Sequence, residues 1–239
     1  MTLNDAVELY ICTLSEILAD ENFRKKGTRH LYRNKGECIQ DVCVLVTKIR
    51  GTSSINLTYN VSYSYPNINK IASYLQGIPY RKEFATGCLR SADEPLNKIK
   101  SSHLISEKTI EQDIKDYAYE DARAIVSYYF PLLDKCDTAE SFLQALDIDR
   151  NIANSFVGLG LLEWIKISTL LYLGKKEEAL LLFDEWIPRE WFGKKELSEA
   201  HRRVCRRRIE SLSEGEVPND GYALFGRQGD GTVIPLPED

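Results

Sequence analysis

The sequence lacks the patterns that mark metal sites, nucleotide loops and membrane spans. None of its three histidines, His30, His103 and His201, has a partner at HxH or HExxH spacing, and its six cysteines form no CxxC pair. A structural zinc site or metalloprotease centre is therefore not expected. GxSxG and GxxxxGK[ST] are also missing, which excludes the usual serine hydrolases and P-loop enzymes. No apolar run approaches the length needed to cross a bilayer.

The chain also shows no excess of positive charge and no predicted export signal. The chain has 31 Lys and Arg against 36 Asp and Glu, a net charge of −5 and an isoelectric point near 5.4. This balance disfavours a nucleic-acid binder, although a local basic patch is compatible with it. Residues 1–8 show no basic segment followed by an apolar core, so no signal peptide is predicted. We expect a cytoplasmic protein with reduced thiols, no membrane association and no cofactor.

What the chain does contain is a regular alternation over residues 53–65. Large apolar side chains alternate there with small polar ones, the apolar set being Ile55, Leu57, Tyr59, Val61, Tyr63 and Tyr65. Successive side chains of a strand point to opposite faces, so this run predicts a strand with one aromatic face and one polar face. Such a strand is typical of an antiparallel sheet with helices on one side and water or a partner on the other.

Three more strands are predicted beside it, at about residues 28–33, 37–50 and 82–91. Asn34-Lys35-Gly36 predicts the turn between the first two, whereas residues 24–27, Arg-Lys-Lys-Gly, are interpreted as a basic turn. The second strand contains Val-Cys-Val-Leu-Val and is apolar on both faces, which favours a central place in the sheet.

Two helices are predicted next to this sheet. Asn4 or Asp5 can cap a first helix that ends near residues 20–22. Pro66 can open a short second helix that Gly77 closes.

After Pro95 the pattern becomes helical, and Thr138 is a predicted N-cap. Helices are predicted at about residues 107–116, 118–134, 138–146, 151–173, 175–187 and 194–212. Strands followed by helices indicate an α+β fold. We expect an antiparallel sheet of about four strands packed on two helices, followed by a C-terminal helical bundle.

Composition divides the chain into a sheet lobe at residues 1–100, a helical lobe at 101–212 and a tail at 213–239, with the lobes either separate or forming one domain. The boundary is expected within residues 92–108. The tail holds five of the 14 glycines and three of the eight prolines, which predicts an extended or partly disordered segment. Within it, Tyr222-Ala-Leu-Phe225 is apolar and is expected to fold back or to dock a partner.

Four local phrases carry a family resemblance: residues 21–27, 29–33, 55–61 and 88–91. With the order of the predicted elements, they resemble an uncharacterised bacterial family of the domain-of-unknown-function kind. The resemblance covers roughly residues 3–146. Some relatives of such folds are immunity-like proteins of bacterial toxin systems, which bind a toxin. The resemblance therefore implies a protein-binding role and assigns no site residues.

Nucleophilic catalysis needs a nucleophile with a base beside it, and no such pair stands out in the sequence. His30 is interpreted as a strand or surface residue, His103 as a linker residue and His201 as a helix residue. Cys38 and Cys43 lie five residues apart on the predicted second strand, so they point to opposite faces. Inert core thiols are the favoured interpretation.

Paired carboxylates and glycines are interpreted in the same structural way. The carboxylate groups are Asp93-Glu94, Asp147 with Asp149, and Glu111 with Asp113 and Asp116. Acid catalysis would need two of them to converge in a cleft, and most acids lie on solvated faces. Gly158-Leu159-Gly160 predicts close helix packing, because the third glycine of a dinucleotide loop is missing.

The sharpest charge cluster is His201–Arg208, with the sequence His-Arg-Arg-Val-Cys-Arg-Arg-Arg. On a helix, Arg202 and Arg206 share one flank of the inward stripe, and Arg203 and Arg207 share the other. Basic residues near a helix C-terminus also complement the helix dipole. The four arginines are candidates for contact with an anion or an acidic partner.

We expect a non-catalytic bacterial protein that binds another protein through a rigid surface, in an immunity-like or regulatory role. One alternative is an enzyme of unfamiliar type, with His30 or a carboxylate pair in a site between sheet and helices. The other is a helical scaffold over residues 151–212 that grips peptides, since Lys175-Lys-Glu-Glu-Ala resembles the second-helix entry of a tetratricopeptide repeat.

Overall fold

A computed structural model gives the architecture. It describes residues 1–78, 80–81, 85–89, 102–153, 155, 162–186, 199–218, 225–227 and 233–235. Predicted features outside this part of the chain are Asp93-Glu94, the Gly158–Gly160 segment, residues 222–224 and half of the predicted strand at 82–91. Within the described ranges, no helix is both long and apolar enough to span a membrane.

The chain forms two compact units, each built from two segments. The first unit comprises Met1–Tyr63 and Cys88–Asp137, and the second comprises Ser64–Gly87 and Thr138–Asp239. The lobes predicted at residues 1–100 and 101–212 stay a prediction.

One six-stranded antiparallel sheet organises the first unit, and the predicted α+β class is confirmed. Its strands are β1 (Arg24–Lys26), β2 (His30–Lys35), β3 (Cys38–Lys48), β4 (Ile55–Ser64), β5 (Gly87–Leu89) and β6 (Ser102–Ile105). They follow the order β1-β2-β3-β4-β5, with β6 also paired to β4. The central place predicted for β3 is therefore confirmed.

The sheet has two more strands than the four predicted. β1 lies in the segment interpreted as a basic turn, and β6 lies in the predicted boundary region. Their three and four residues are too few to show an alternation, and pairing with β2 and β4 defines them as strands.

Helices cover one face of this sheet, here called the inner face. They are α1 (Leu3–Leu18), α3 (Glu111–Ala124) and α4 (Phe130–Leu133), with a π-helical turn at Ile125–Tyr129 joining the last two. The ring of Tyr59 on β4 meets Tyr129 edge-on at 6.0 Å. The predicted cap at Asn4 or Asp5 is wrong, because Thr2 accepts from the Asp5 backbone N–H and the Asp5 carboxylate accepts from Thr2.

The second unit packs its helices around one apolar core. They are α2 (Pro66–Gln76), α5 (Ala139–Ile148), α6 (Arg150–Ala153), α7 (Leu162–Tyr172), α8 (Lys176–Glu185) and α9 (Glu199–Ser211). Trp164 is buried in this core, with the ring of Phe183 at 6.1 Å and that of Trp186 edge-on at 5.4 Å. The N-cap at Thr138 is confirmed by its bond from the Ser141 backbone N–H.

The predicted tail contains a two-stranded antiparallel pair. β7 (Phe225–Arg227) pairs with β8 (Val233–Pro235). An extended backbone, which the glycine and proline content predicted, is present in these two segments.

Candidate functional site

The predicted arginine flanks on α9 differ in their surroundings. Arg202 is half-buried and donates to the backbone oxygen of Asp184 at 3.0 Å, with its guanidinium 5.6 Å from the ring of Phe183. Arg206 is paired with the carboxylates of Asp184 at 3.2 Å and Glu210 at 3.4 Å. This flank therefore ties α9 to α8 within the second unit.

The other flank faces solvent. Arg203 and Arg207 are exposed and form no ion pair with any residue that the structure describes. Arg208 is buried, with its guanidinium 4.3 Å from the ring of Tyr74 and a hydrogen bond to the Tyr74 backbone oxygen. The anion or partner contact predicted for Arg202, Arg203, Arg206 and Arg207 stays a prediction, best carried by the exposed pair.

The acidic groups chosen from the sequence have local structural partners. Glu111 pairs with Lys115 at 2.7 Å, and Asp113 accepts from the Ile110 backbone N–H at 3.1 Å at the start of α3. Asp147 forms an ion pair with Lys166. These carboxylates serve helix ends and surfaces, and these contacts bring no two of them together in a cleft.

A histidine and a carboxylate do meet inside the first unit. Asp121 accepts through Oδ2 from the Tyr10 hydroxyl at 2.6 Å, and the same oxygen lies 2.9 Å from His103 Nε2. The His103 ring stacks on Tyr117 with centroids 4.3 Å apart. His103 was predicted in a linker, and this is wrong, because Ser102–Ile105 pairs with β4 and turns His103 and Ile105 inward.

This inner cluster of Tyr10, His103 and Asp121 is closed to solvent. No member is more than 1 % exposed. Burial, followed by the Asp121 charge and hydrogen bond, raises the pKa of Tyr10 well above its ordinary value. Because a substrate has no access, the cluster is interpreted as a polar tie that fixes α1, α3 and β6 together.

The opposite, outer face of the sheet carries a second cluster, formed by His30, Asp41 and Cys43. His30 Nδ1 lies 3.0 Å from Asp41 Oδ2, and His30 Nε2 lies 3.7 Å from Cys43 Sγ. The His30 side chain is 51 % exposed and that of Asp41 23 %, whereas Cys43 is half-buried. We call these three residues the outer cluster.

Strand register explains how three separated residues meet. β2 and β3 form a hairpin in which His30 lies directly opposite Cys43, and Tyr32 opposite Asp41. The Val44 backbone N–H donates to the Arg29 backbone oxygen at 2.9 Å, so the adjacent pair, His30 and Cys43, is a non-hydrogen-bonded pair with closer side chains. Asp41 reaches His30 across the diagonal.

Burial and neighbouring charges shift the pKa values of Asp41 and Cys43 in the outer cluster. Partial burial raises the pKa of Asp41, whereas its bond to His30 and the charges of His30 and Lys26 oppose that rise. Partial burial and then the Asp41 charge raise the pKa of the Cys43 thiol, and Arg29 opposes them. The predicted opposite orientation of Cys38 and Cys43 is confirmed, but only Cys38 is a core thiol.

Around this cluster the outer face is apolar and basic. Leu104 on β6 is 59 % exposed and Leu45 on β3 is also exposed. Arg24 and Lys26 on the edge strand β1 and Arg29 in the following turn are exposed, and none forms an ion pair within the described ranges. A chain with a net negative charge therefore presents unpaired positive charge here.

No protein-family model, curated protein or solved structure matches this chain. The resemblance to a bacterial family over roughly residues 3–146 stays a prediction. Among the residues that the structure describes, no group of three or more His, Cys, Asp or Glu side chains is arranged to hold a metal ion.

The outer cluster was missed because sequence reasoning searched for neighbours along the chain. The hairpin turn at Asn34-Lys35-Gly36 was predicted, and that turn already implies which residues face each other. Lys35 pairs with Cys38, and counting away from the turn along both strands puts His30 opposite Cys43. Strand register was therefore the signal that could have identified the cluster.

Proposed function

We propose that this protein is a non-catalytic binding protein that contacts an acidic surface of another protein through the outer face of its sheet. The observation that carries the proposal is the combination of exposed Leu45 and Leu104 with Arg24, Lys26 and Arg29, which lie on and beside that face and form no ion pair with a described residue. Apolar side chains supply contact area, and unpaired cations give orientation and a faster encounter with an acidic partner.

The sheet below this face supports a rigid contact surface. β2, β3 and β4 alternate buried and more exposed residues, so their inner side chains are fixed in the core while the outer ones face away. A preorganised surface loses little entropy on binding. Occlusion of a partner by such a face suits an immunity-like or regulatory role.

Two observations favour this proposal over the alternatives. The histidine and carboxylate that meet between sheet and helices, where an enzyme site was expected, are those of the inner cluster, and they are closed to solvent. A peptide-gripping scaffold would need a free inner face on the helical hairpin. Ala179 and Phe183 of that hairpin are instead buried in the second unit's core together with residues of α2.

The test compares two charge-reversal variants of the same size. A partner is first captured from the native host by cross-linking, identified and purified. Its affinity is then measured by calorimetry for the wild type, for Arg24→Glu with Arg29→Glu, and for Arg203→Glu with Arg207→Glu. We expect the outer-face variant to bind at least about tenfold more weakly, the α9 variant to bind normally, and wild-type affinity to fall with added salt.

Other outcomes would contradict the proposal. Weaker binding by the α9 variant alone would move the contact to Arg203 and Arg207. Equal affinity in all three proteins would remove charge complementarity as the basis of recognition. Capture of a nucleic acid that competes for the outer face would replace the protein partner.

A further inference from the structure

We infer that the outer cluster is a reactive-thiol site, at which Cys43 forms a mixed disulfide with a small anionic disulfide while His30 transfers the proton and Asp41 orients His30. The reaction is a stoichiometric modification of the chain. It does not depend on the proposed binding function, because it follows from the cluster alone.

The geometry provides each part that an activated thiol needs. Such a site places a nucleophile beside a base and fixes the base through a third group. Cys43 Sγ lies 3.7 Å from His30 Nε2, which is within reach for a sulfur donor, and His30 Nδ1 lies 3.0 Å from Asp41 Oδ2. The two ring nitrogens thus face different partners, which sets the imidazole between acid and thiol.

The thiol needs this base. Partial burial and the Asp41 charge raise the pKa of Cys43, so the thiol is mainly protonated at neutral pH. A base that removes the proton during attack overcomes this, and a thiolate with a higher pKa is the stronger nucleophile once formed.

The chemical step balances without a further oxidant. His30 Nε2 takes the Cys43 proton as Sγ attacks one sulfur of the disulfide, and a new S–S bond forms. The S–S bond of the reagent breaks, and its second sulfur leaves as a thiolate that recovers the proton from His30. The products are the mixed disulfide at Cys43 and one free thiol, so the reagent disulfide is the oxidant.

Disulfide exchange suits this site better than acyl transfer. Cleavage of an ester or amide develops an oxyanion that needs fixed N–H donors. Cys43 lies within β3, between β2 and β4, where the backbone N–H groups bond to neighbouring strands. Exchange places the developing charge on a leaving sulfur, for which no such donors are required.

The charges around the cluster select an anionic reagent. Lys26 on β1 lies opposite His30, and Arg29 is close enough for its charge to lower the Cys43 pKa. Both cations are exposed and have no ion pair with a described residue. They would attract a reagent that carries carboxylates and repel a cationic one.

The first test uses the wild-type chain. It is incubated with oxidised glutathione at neutral pH, and the mixed disulfide at each cysteine is followed by peptide-resolved mass spectrometry. Cys12 and Cys88 are the internal controls because both are half-buried, as Cys43 is. We expect Cys43 to react at least about tenfold faster than either control and faster with oxidised glutathione than with cationic cystamine. Equal rates at the three cysteines would overturn the inference.

Variants separate proton transfer from structural damage. His30→Gln should slow Cys43 about tenfold at neutral pH but react normally at alkaline pH, where the thiol ionises without a base. The charged or titratable groups around His30 are Lys26, Arg29, Tyr32, Asp41 and Cys43, and none of them is changed. Asp41→Asn, which affects a positioning residue, should show a smaller loss with the same alkaline recovery.

Asn34→Ala, on the exposed side of β2, is the matched control and should leave the Cys43 rate unchanged at every pH. A neutral-pH rate in His30→Gln equal to that of the wild type would contradict the inference. So would a loss that persists at alkaline pH.

Discussion

At the scale of single residues, Arg33 illustrates how this fold accommodates a buried charge. Its side chain is only 6 % exposed, yet each guanidinium nitrogen has an acceptor. Nε donates to Gln40 at 2.8 Å, Nη1 to the backbone oxygen of Glu21 at 3.1 Å, and Nη2 to Asp134 at 2.6 Å. The Arg33 guanidinium thus links β2 and β3 to the turn that follows α1 and to the C-terminal end of α4.

Replacing Arg33 with alanine should therefore destabilise the protein strongly. The change removes the donor to Gln40 Oε1 and opens space beside the rings of Phe23 and Phe130, which the guanidinium contacts at 5.0 and 4.2 Å. We expect the free energy of unfolding to fall by about 3 kcal/mol in denaturant titrations. Arg203→Ala, at an exposed site, should cost less than about 0.5 kcal/mol, and equal effects would contradict a structural role for Arg33.

The buried tyrosines around the inner cluster should limit alkaline stability. Burial is the main cause that raises the pKa of Tyr10, Tyr59 and Tyr129, the last to about 12. Between the unfolded pKa of about 10 and these higher values, the folded state binds more protons than the unfolded state. The contribution of these tyrosines to stability is therefore fully present below pH of about 10 and is lost as the pH rises above it. The loss is up to about 1.4 kcal/mol per pH unit for each tyrosine.

Unfolding followed across alkaline pH, together with phenolate absorbance, measures this effect. Tyr10→Phe should remove one tyrosine's share of the slope. Ionisation of all 13 tyrosines near pH of about 10 in protein that stays folded would show that these hydroxyls are not protected.

Residue patterns predicted the faces of single strands well and the contacts between strands poorly. Alternation correctly separated the buried side of β4, and the offset of five correctly separated Cys38 from Cys43. The partners of His30 and His103 could not be found from spacing. One depends on hairpin register, and the other depends on a four-residue strand and a helix residue 18 positions away.

At the scale of elements, the β2–β3 hairpin depends on Gly36. This residue has φ of +57°, and a Cβ built there would lie 2.2 Å from the backbone oxygen of Asp137. The same oxygen accepts from the Glu37 backbone N–H at 2.8 Å, so the turn is seated against the end of the first unit. Any side chain at Gly36 would have to move this contact.

Gly36→Ala should consequently cost more than the conformational penalty alone. Gly27 is a matched control because its φ is +66° and nothing lies within 4 Å of a built Cβ. We expect Gly27→Ala to lower the free energy of unfolding by about 1 kcal/mol and Gly36→Ala by clearly more, through the close approach. Equal losses in thermal and denaturant unfolding would mean that the turn shifts without cost.

Element prediction failed where local signals and tertiary packing disagree. Two helices were predicted at 107–116 and 118–134, yet helical structure is continuous from Glu111 to Leu133. Pro131 lies within this stretch, and a proline inside a helix ordinarily kinks or breaks it. The π-helical turn at Ile125–Tyr129 lies just before this proline, and Tyr129 and Phe130 remain in the core. The helical backbone therefore continues through a locally wider turn at a place where sequence rules predict a break.

At the scale of the whole molecule, sequence order and structural unit do not coincide. The first unit needs residues on both sides of Ser64–Gly87, because Tyr10 bonds to Asp121 and Phe23 stacks on Phe130 at 5.0 Å. Composition could not reveal this arrangement, since it reports only local changes along the chain. If residues 1–100 formed a lobe, they would fold alone, whereas the first unit also requires residues up to Asp137.

Two shortened chains distinguish those claims. A chain of residues 1–100 loses β6, α3 and α4, so the inner face of its sheet and the partners of Tyr10 and Phe23 are missing, and we expect no cooperative unfolding transition. A chain of residues 1–137 retains the complete first unit and should unfold cooperatively by circular dichroism. It should also bind an apolar dye, because Ile71 and Leu75 of α2 lose the core residues of α7 and α9. Cooperative unfolding of the 1–100 chain would instead support the lobe predicted from composition, since that sheet would then be stable without its helical cover.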